Sequence, residues 1–170
     1  MFGLFKGKAK DNDTTLAGRQ EYAPAPGTQI RYDPALVNSL EQDHQKLLRI
    51  YTAIKEAFDA GDYETVSARL NEFRAVLQGH LLTENVRLYI YLDRQLAGDD
   101  TNSDLIHGFR REMDGIGKDV MNFLKKYETI GVDIDIATAF IRDFEAIGKV
   151  LVDRIEREEA TLYPLYLPTY

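Results

Sequence analysis

Four separate stretches of this chain return an apolar residue every three or four positions over long runs. That spacing is the period of one face of an α-helix. The first stripe is Val37, Leu40, His44, Leu47, Tyr51, Ile54 and Phe58. The second is Val66, Leu70, Phe73, Leu77, His80, Glu84 and Tyr91. The third is Leu105, Phe109, Met113, Ile116, Val120, Phe123 and Tyr127. The fourth is Phe140, Phe144, Ile147, Leu151, Arg154, Glu158 and Leu162. No stretch of comparable length alternates apolar with polar residues, so strands do not compete with this reading.

The connections between stripes carry turn and capping chemistry. Asp33-Pro34 predicts a helix start, with Asp33 as N-cap and Pro34 at the first helical position. "DAGD", Asp59 to Asp62, closes the first helix and offers Asp62 as cap for the second. "AGDDTNSD", Ala97 to Asp104, is rich in capping residues, and "TIGVDID", Thr129 to Asp135, is the next turn. Pro164 and Pro168 end the last helix. Four long amphipathic helices with short links imply an all-α, up-down-up-down antiparallel four-helix bundle over residues 33–170. Residues 1–32, with Pro24, Pro26 and Gly27, read as an irregular N-terminal arm. Its first ten residues, "MFGLFKGKAK", set Phe2, Leu4 and Phe5 among Lys6, Lys8 and Lys10. They read either as a contact for an anionic surface or a partner, or as a frayed terminus.

Composition narrows the function classes. With 170 residues there is enough chain for one domain with a real core. The net charge of −7 argues against wrapping nucleic acid, which needs clustered Lys and Arg. There is no cysteine, hence no disulfide, Fe–S cluster or thiol chemistry. No apolar run approaches the roughly 18 residues of a membrane span, and no secretory signal opens the chain, so a cytoplasmic protein is expected. Neither a Gly-rich phosphate loop nor a nucleophile motif is present, and no enzyme activity is expected.

The stripes are interrupted by polar groups at matching depth. His44, His80, Met113 and Arg154 each take one position on their stripe, with Glu84 one turn beyond His80 and Glu158 one turn beyond Arg154. Residues four apart share a helix face. A His together with a His-x-x-x-Glu pair pointing into a bundle is one way to hold two iron or manganese ions. The same histidines also read as hydrogen-bonded core groups, and Met113 as core filler. Glu112 and Glu159 are candidate extra oxygen ligands, Glu112 also reading as a surface residue. A guanidinium has no lone pair and cannot ligate a metal. Arg154 therefore reads either as a buried clamp on Glu84 and Glu158 or as a side chain reaching outward to a surface pair with Glu158. His107 falls in a polar row with Arg111, Asp114 and Lys118 and reads as surface. Tyr89, Tyr91, Tyr163 and Tyr166 are expected to line the bundle end with hydroxyls at its rim.

There is an internal echo. "GHLLTENVRLYIYL" (Gly79 to Leu92) and "DRIEREEATLYPLYL" (Asp153 to Leu167) both place Leu-Tyr four and five residues after a Glu, and "DHQKL" is echoed by "EMDGI". This implies two helix hairpins related by a pseudo-twofold axis.

With "DHQKL", "HLLTENVRLY", "FRREMDGI" and "RIEREEATLYPLY", the chain resembles the hemerythrin-like, HHE cation-binding family from about Asp33 to Pro168. The resemblance implies a four-helix bundle with a di-iron centre, ligands following the order His, His-x-x-x-Glu, His, His-x-x-x-Glu. Carried over, His44, His80, Glu84 and Glu158 match, while Met113 and Arg154 stand where the family has histidines. A weaker similarity, on "FEAIGKVLVDRIEREEATLYPLYL" and "GHLLTENVRLY", is to the Rsd/AlgQ family of anti-sigma regulators. The resulting expectation is a bundle with an altered or vestigial metal site in a binding, sensing or regulatory role. The alternatives are a metal-free regulator of a protein partner and a di-iron oxygen-binding or redox protein. The cofactor is accordingly none, or else iron or manganese.

Overall fold

Asp33 and Pro34 do not begin the first helix as the sequence implied. Asp33 Oδ1 accepts from Ala35 N at 2.9 Å and its carbonyl accepts from Leu36 N at 3.0 Å, making a turn that delivers the chain into α1, Leu36–Asp59, two residues later. The computed structural model describes residues 22–169. Gly61, in the left-handed region at φ 70°, turns the chain back, and Asp62 caps α2, Tyr63–Thr83, by accepting from Thr65 N at 3.0 Å. The helix continues through a π-helical segment, Glu84–Tyr89, into α3, Ile90–Gln95. Asp99 caps α4, Asp100–Lys126, by accepting from Asn102 N. A 3₁₀ turn, Ile134–Ile136, leads into α5, Ala137–Arg157, which also widens into a π segment, Glu158–Leu162, before a 3₁₀ turn at Tyr163–Leu165.

Cross-helix contacts set the topology. His44 meets His80 and Glu158, Phe58 meets Tyr63 and Phe140, Gln78 meets Met121, and Glu112 meets Arg157. Every neighbouring pair therefore runs antiparallel, α1 against α2 and α5, and α4 against the same two. This is the up-down-up-down four-helix bundle implied by the periodicity, and β pairing among the described residues is limited to an isolated bridge between Pro24 and Arg31.

The core is divided. Toward the α1–α2 and α4–α5 turns lies a cluster rich in phenylalanine, where Phe140 packs 4.8 Å from Phe58, 5.8 Å from Phe123 and 5.2 Å from Phe144 between ring centres. Gly148 serves this half: a Cβ there would fall 2.1 Å from Tyr51 Oη, and its absence lets Tyr51 stack at 4.0 Å on Phe144. At the other end lies a second cluster with Leu36, Leu40, Leu88, Tyr91, Phe109 and Leu162. Between the two, on three of the four rods, buried charged and polar side chains form a layer: His44, His80, Glu84, Arg154 and Glu158.

The described part of the N-terminal arm closes that second end. Ala25 is fully buried and its N–H donates to Ile30 at 2.8 Å across a tight turn containing Gly27 at φ 71°. Tyr32 stacks on Tyr166 at 4.8 Å, Tyr166 Oη accepts from Asp33 N at 2.9 Å, and Tyr91 Oη donates to Leu167 O at 2.7 Å. The expected contact through Phe2, Leu4, Phe5 and the three lysines lies outside the described residues. Among the described residues, no helix is long and apolar enough to cross a membrane.

Candidate metal centre

His44, His80, Glu84 and Glu158 converge because each occupies the stripe position between an apolar residue of one cluster and an apolar residue of the other. Leu40 and Leu47 flank His44, Leu77 and Leu88 flank His80 and Glu84, and Leu151 and Leu162 flank Arg154 and Glu158. Burying these leucines forces the polar groups inward with them. One candidate ligand atom from each of the four residues lies within 4.8 Å of the others, and none of the four residues is more than 3 % exposed.

Both π segments begin at a glutamate of this set, Glu84 and Glu158. Widening a helix by one residue at such a point is a common way to re-aim a functional side chain. The shared frame of Glu followed by Leu-Tyr marked the two places in the sequence, although nothing in the periodicity signalled the change of helix type.

Each histidine has a carboxylate on its outer nitrogen. Glu159 Oε1 lies 2.8 Å from His44 Nδ1, and Asp43 Oδ2 lies 3.5 Å from His80 Nδ1, too far for a well-formed hydrogen bond. Their Nε2 atoms face inward, His44 toward Glu158 Oε2 at 3.2 Å and His80 toward Glu84 Oε1 at 3.7 Å. Outer carboxylates that fix imidazole orientation are the usual support of metal-binding histidines. Glu159 is thus placed behind His44 rather than among the ligand atoms, and Asp43 was not anticipated.

Arg154 is buried, 2 % exposed, and does not reach outward. Its Nε donates to Glu158 Oε1 at 2.6 Å, one Nη to Glu112 Oε2 at 3.0 Å and the other to Tyr89 Oη at 2.8 Å, while Phe109 presents its ring face 4.5 Å from the guanidinium carbon. The expected clamp on both glutamates is corrected in part: Arg154 holds Glu158 but makes no hydrogen bond to Glu84. Glu84 is instead met by the hydroxyl of Tyr163 at 2.9 Å, and its Oε2 has no hydrogen-bond partner among the described residues. Glu112 turns to Arg154 and also takes both Nη of Arg157 at 2.6 Å, so it lies outside the His/Glu cluster. Met113 packs into the phenylalanine-rich cluster.

The tyrosines divide. Tyr91 and Tyr166 close the bundle end, but Tyr89 and Tyr163 turn inward with buried hydroxyls, correcting their placement at the rim. Each reaches the opposite hairpin, Tyr89 to Arg154 and Tyr163 to Glu84. His107 stands on the surface, its Nε2 2.8 Å from Asp93.

The electrostatics are uneven. Burial, then the charge of Glu158, push the Glu84 carboxyl well above the ordinary range, so it carries a proton near neutral pH. Burial and the neighbouring His44 charge lower His80, which stays neutral. For His44, burial opposes the imidazolium, but hydrogen bonds to Glu158 and Glu159 outweigh it and raise the pKa. Burial likewise opposes ionised Glu158, and His44 and Arg154 reverse that, lowering it. Around Arg154 the fixed charges balance without an ion: Arg154 and Arg157 against Glu112 and Glu158.

The donor set fits a divalent cation. Two imidazole nitrogens and two carboxylates are a suitable mixture for iron(II) or manganese(II), and Glu84 Oε2 is buried with no hydrogen-bond partner among the described residues. A model of the hemerythrin HHE cation-binding domain matches residues 35–166. Neither a curated protein nor a solved structure matches the chain.

Proposed function

We propose, for a chain that belongs to the hemerythrin HHE cation-binding domain family, that the bundle takes up a single divalent metal ion in a binding or sensing role. His44, His80, Glu84 and Glu158 would hold it, with Glu159 fixing the His44 imidazole. The observation that carries this reading is the closeness of the four buried ligand atoms, within 4.8 Å of one another, beside a carboxylate oxygen that has no partner.

A bound iron(II) would supply an oxygen- or redox-responsive centre, and manganese(II) one that is less readily oxidised. The chain's own residues do the rest. Glu84 would release its proton to solvent on holding the ion, and Tyr163 keeps the carboxyl in place from the other hairpin. The two leucine-lined clusters above and below exclude water. Deep burial suits an ion or a very small molecule better than an organic substrate, which supports binding rather than catalysis. The role of a second metal falls to no residue pair here, because Met113 lies in apolar surroundings and Arg154 brings a fixed positive charge.

The test is metal content after anaerobic loading with Fe(II) or Mn(II) and gel filtration. One ion per chain is expected, lost in Glu84→Gln and in His80→Ala. Glu159→Gln should weaken binding about 10- to 100-fold, the usual cost of removing an orienting carboxylate. A wild-type protein with only trace metal, or full retention by Glu84→Gln, would overturn the reading. In that case the balance of charges around Arg154 without any ion favours a metal-free bundle that binds a protein partner, as the weaker similarity to the Rsd/AlgQ regulators suggested.

A further inference from the structure

We infer that the bundle face shared by α2 and α4 docks a second copy of this chain about a two-fold axis that crosses the helices. Both α1 and α2 have an outward row at the spacing of one helix face. On α1 that row is Gln45, Arg49, Thr52 and Glu56, and on α2 it is Ala75, Gly79, Leu82 and Val86, all exposed. Leu82 is 63 % and Val86 46 % exposed. α2 is thus apolar on its outer side as well as toward the core, the pattern of a helix with neighbours on both sides. Beside the row a cleft of about 310 Å³ opens between α2 and α4, with Leu81, Met113, Gly117 and Met121 in its lining.

The charges of the cleft name the occupant. Asp114 and Lys118 also line it, one turn apart on α4, both exposed, and neither makes an ion pair among the described residues. A face that meets its own copy must carry both signs at equal distance from the axis, because residue i meets j and j meets i. An axis at the level of Ile116, midway between the two, sets Asp114 of each chain against Lys118 of the other. Gln78 touches Met121 across the antiparallel pair, and five residues on from that contact lie Ile116 on α4 and Thr83 on α2. Leu82, next to Thr83, therefore meets Leu82 of the second copy at the centre, with the paired charges at its flank, an apolar core with a polar rim. A foreign partner of one charge would satisfy only one of the two signs. Two rods about 10 Å across and roughly 30 Å long give about 600 Å² of face per copy, at the low end of specific interfaces, so the dimer is a dissociable one. The inference goes beyond the metal reading and does not depend on it.

The test is sedimentation of the full chain at low salt from about 1 to 100 µM, where a small interface associates. A monomer–dimer equilibrium is expected, and Leu82→Glu should weaken it at least about tenfold. Asp114→Lys and Lys118→Asp should each weaken self-association by a similar factor, because like charges then face each other. Mixed one to one, these two variants should pair with each other more tightly than either pairs with itself, and the double variant should regain wild-type association. All three positions are exposed, and an unchanged far-ultraviolet helical signal checks that each variant folds. A wild type that stays monomeric throughout overturns the inference, whether a foreign protein or residues 1–21 of the chain cover the face instead. A dimer that Leu82→Glu leaves intact overturns it too, as do charge variants that fail to recover on mixing.

Discussion

In the first hairpin His80 stands one turn before Glu84, and the helix widens into a π segment at that glutamate. In the second hairpin Arg154 stands one turn before Glu158, and the helix widens at the same place. Leu-Tyr follows in both, and both tyrosines cross over to the other half. The backbone device is shared, whereas the electrostatic solution is not. In the first hairpin imidazole and carboxyl are both held neutral, leaving donor atoms with few partners. In the second the carboxylate is ionised and bound from two sides, by His44 and by Arg154. The repeated frame thus leaves one half with unpartnered donor atoms, while the other half carries a cation of its own in Arg154.

The largest expected effect comes from removing that built-in cation. In chelator-treated protein Arg154→Met should lower stability by about 3–5 kcal/mol, because Glu158 would remain buried without its main partner. His80→Leu should cost less than about 2 kcal/mol, since it removes a neutral ring with weak hydrogen bonds. Urea midpoints at neutral pH give both values. Equal losses would mean that the two halves are not electrostatically different.

Much of this contrast was legible in the sequence, and the rest was hidden for identifiable reasons. The four stripes are strong because a helix face must be apolar over its whole length to build a bundle, and they place Arg154 between Leu151 and Leu162 whatever its chemistry. That same register carried His44, His80, Glu84 and Glu158 into one layer. Partner choice inside the layer was not legible. Whether Arg154 turned to Glu84 or to Glu112 depended on cross-helix distances, and Glu112 sits one residue off its stripe. The inward tyrosines were missed because Tyr89 ends one π segment and Tyr163 directly follows the other, and such a segment shifts the face by one residue and has no periodic signature of its own. The late start of α1 has a local cause, in that Asp33 used its carboxylate on Ala35 and on Arg87 rather than as a helix cap.

The crossing tyrosines sharpen the comparison at a smaller scale. Tyr163→Phe removes the hydroxyl that donates to Glu84 Oε1 and should cost about 1–3 kcal/mol, the penalty for leaving a buried polar group unpaired. Tyr89→Phe should cost about 1 kcal/mol, because Arg154 keeps both Glu158 and Glu112. Thermal melts in the presence of a chelator distinguish them. A larger loss from Tyr89→Phe would show that the phenol, rather than the carboxylates, is what Arg154 depends on.

At the opposite end of the bundle the hairpins differ again, more mildly. The first is closed by Gly61 and by Asp62, which serves its own helix start. The second is tied across α4 and α5 by Asp143, which accepts from Lys126 Nζ at 2.6 Å and from Tyr127 Oη at 2.7 Å. These two hydrogen bonds, Lys126 first, lower the Asp143 pKa from 3.8 to about 2. A carboxyl depressed in the folded state stabilises fully above its unfolded pKa and loses that contribution as pH falls toward the folded value. The difference in stability between wild type and Asp143→Asn should therefore be constant above about pH 5 and shrink as pH falls from 4 to 2. Its size should stay below about 1 kcal/mol because the pair is solvent-screened. Paired denaturation curves at pH 6 and pH 3 measure it, and a difference that does not change between them would mean that neither hydrogen bond favours the ionised carboxylate of Asp143 in the folded state.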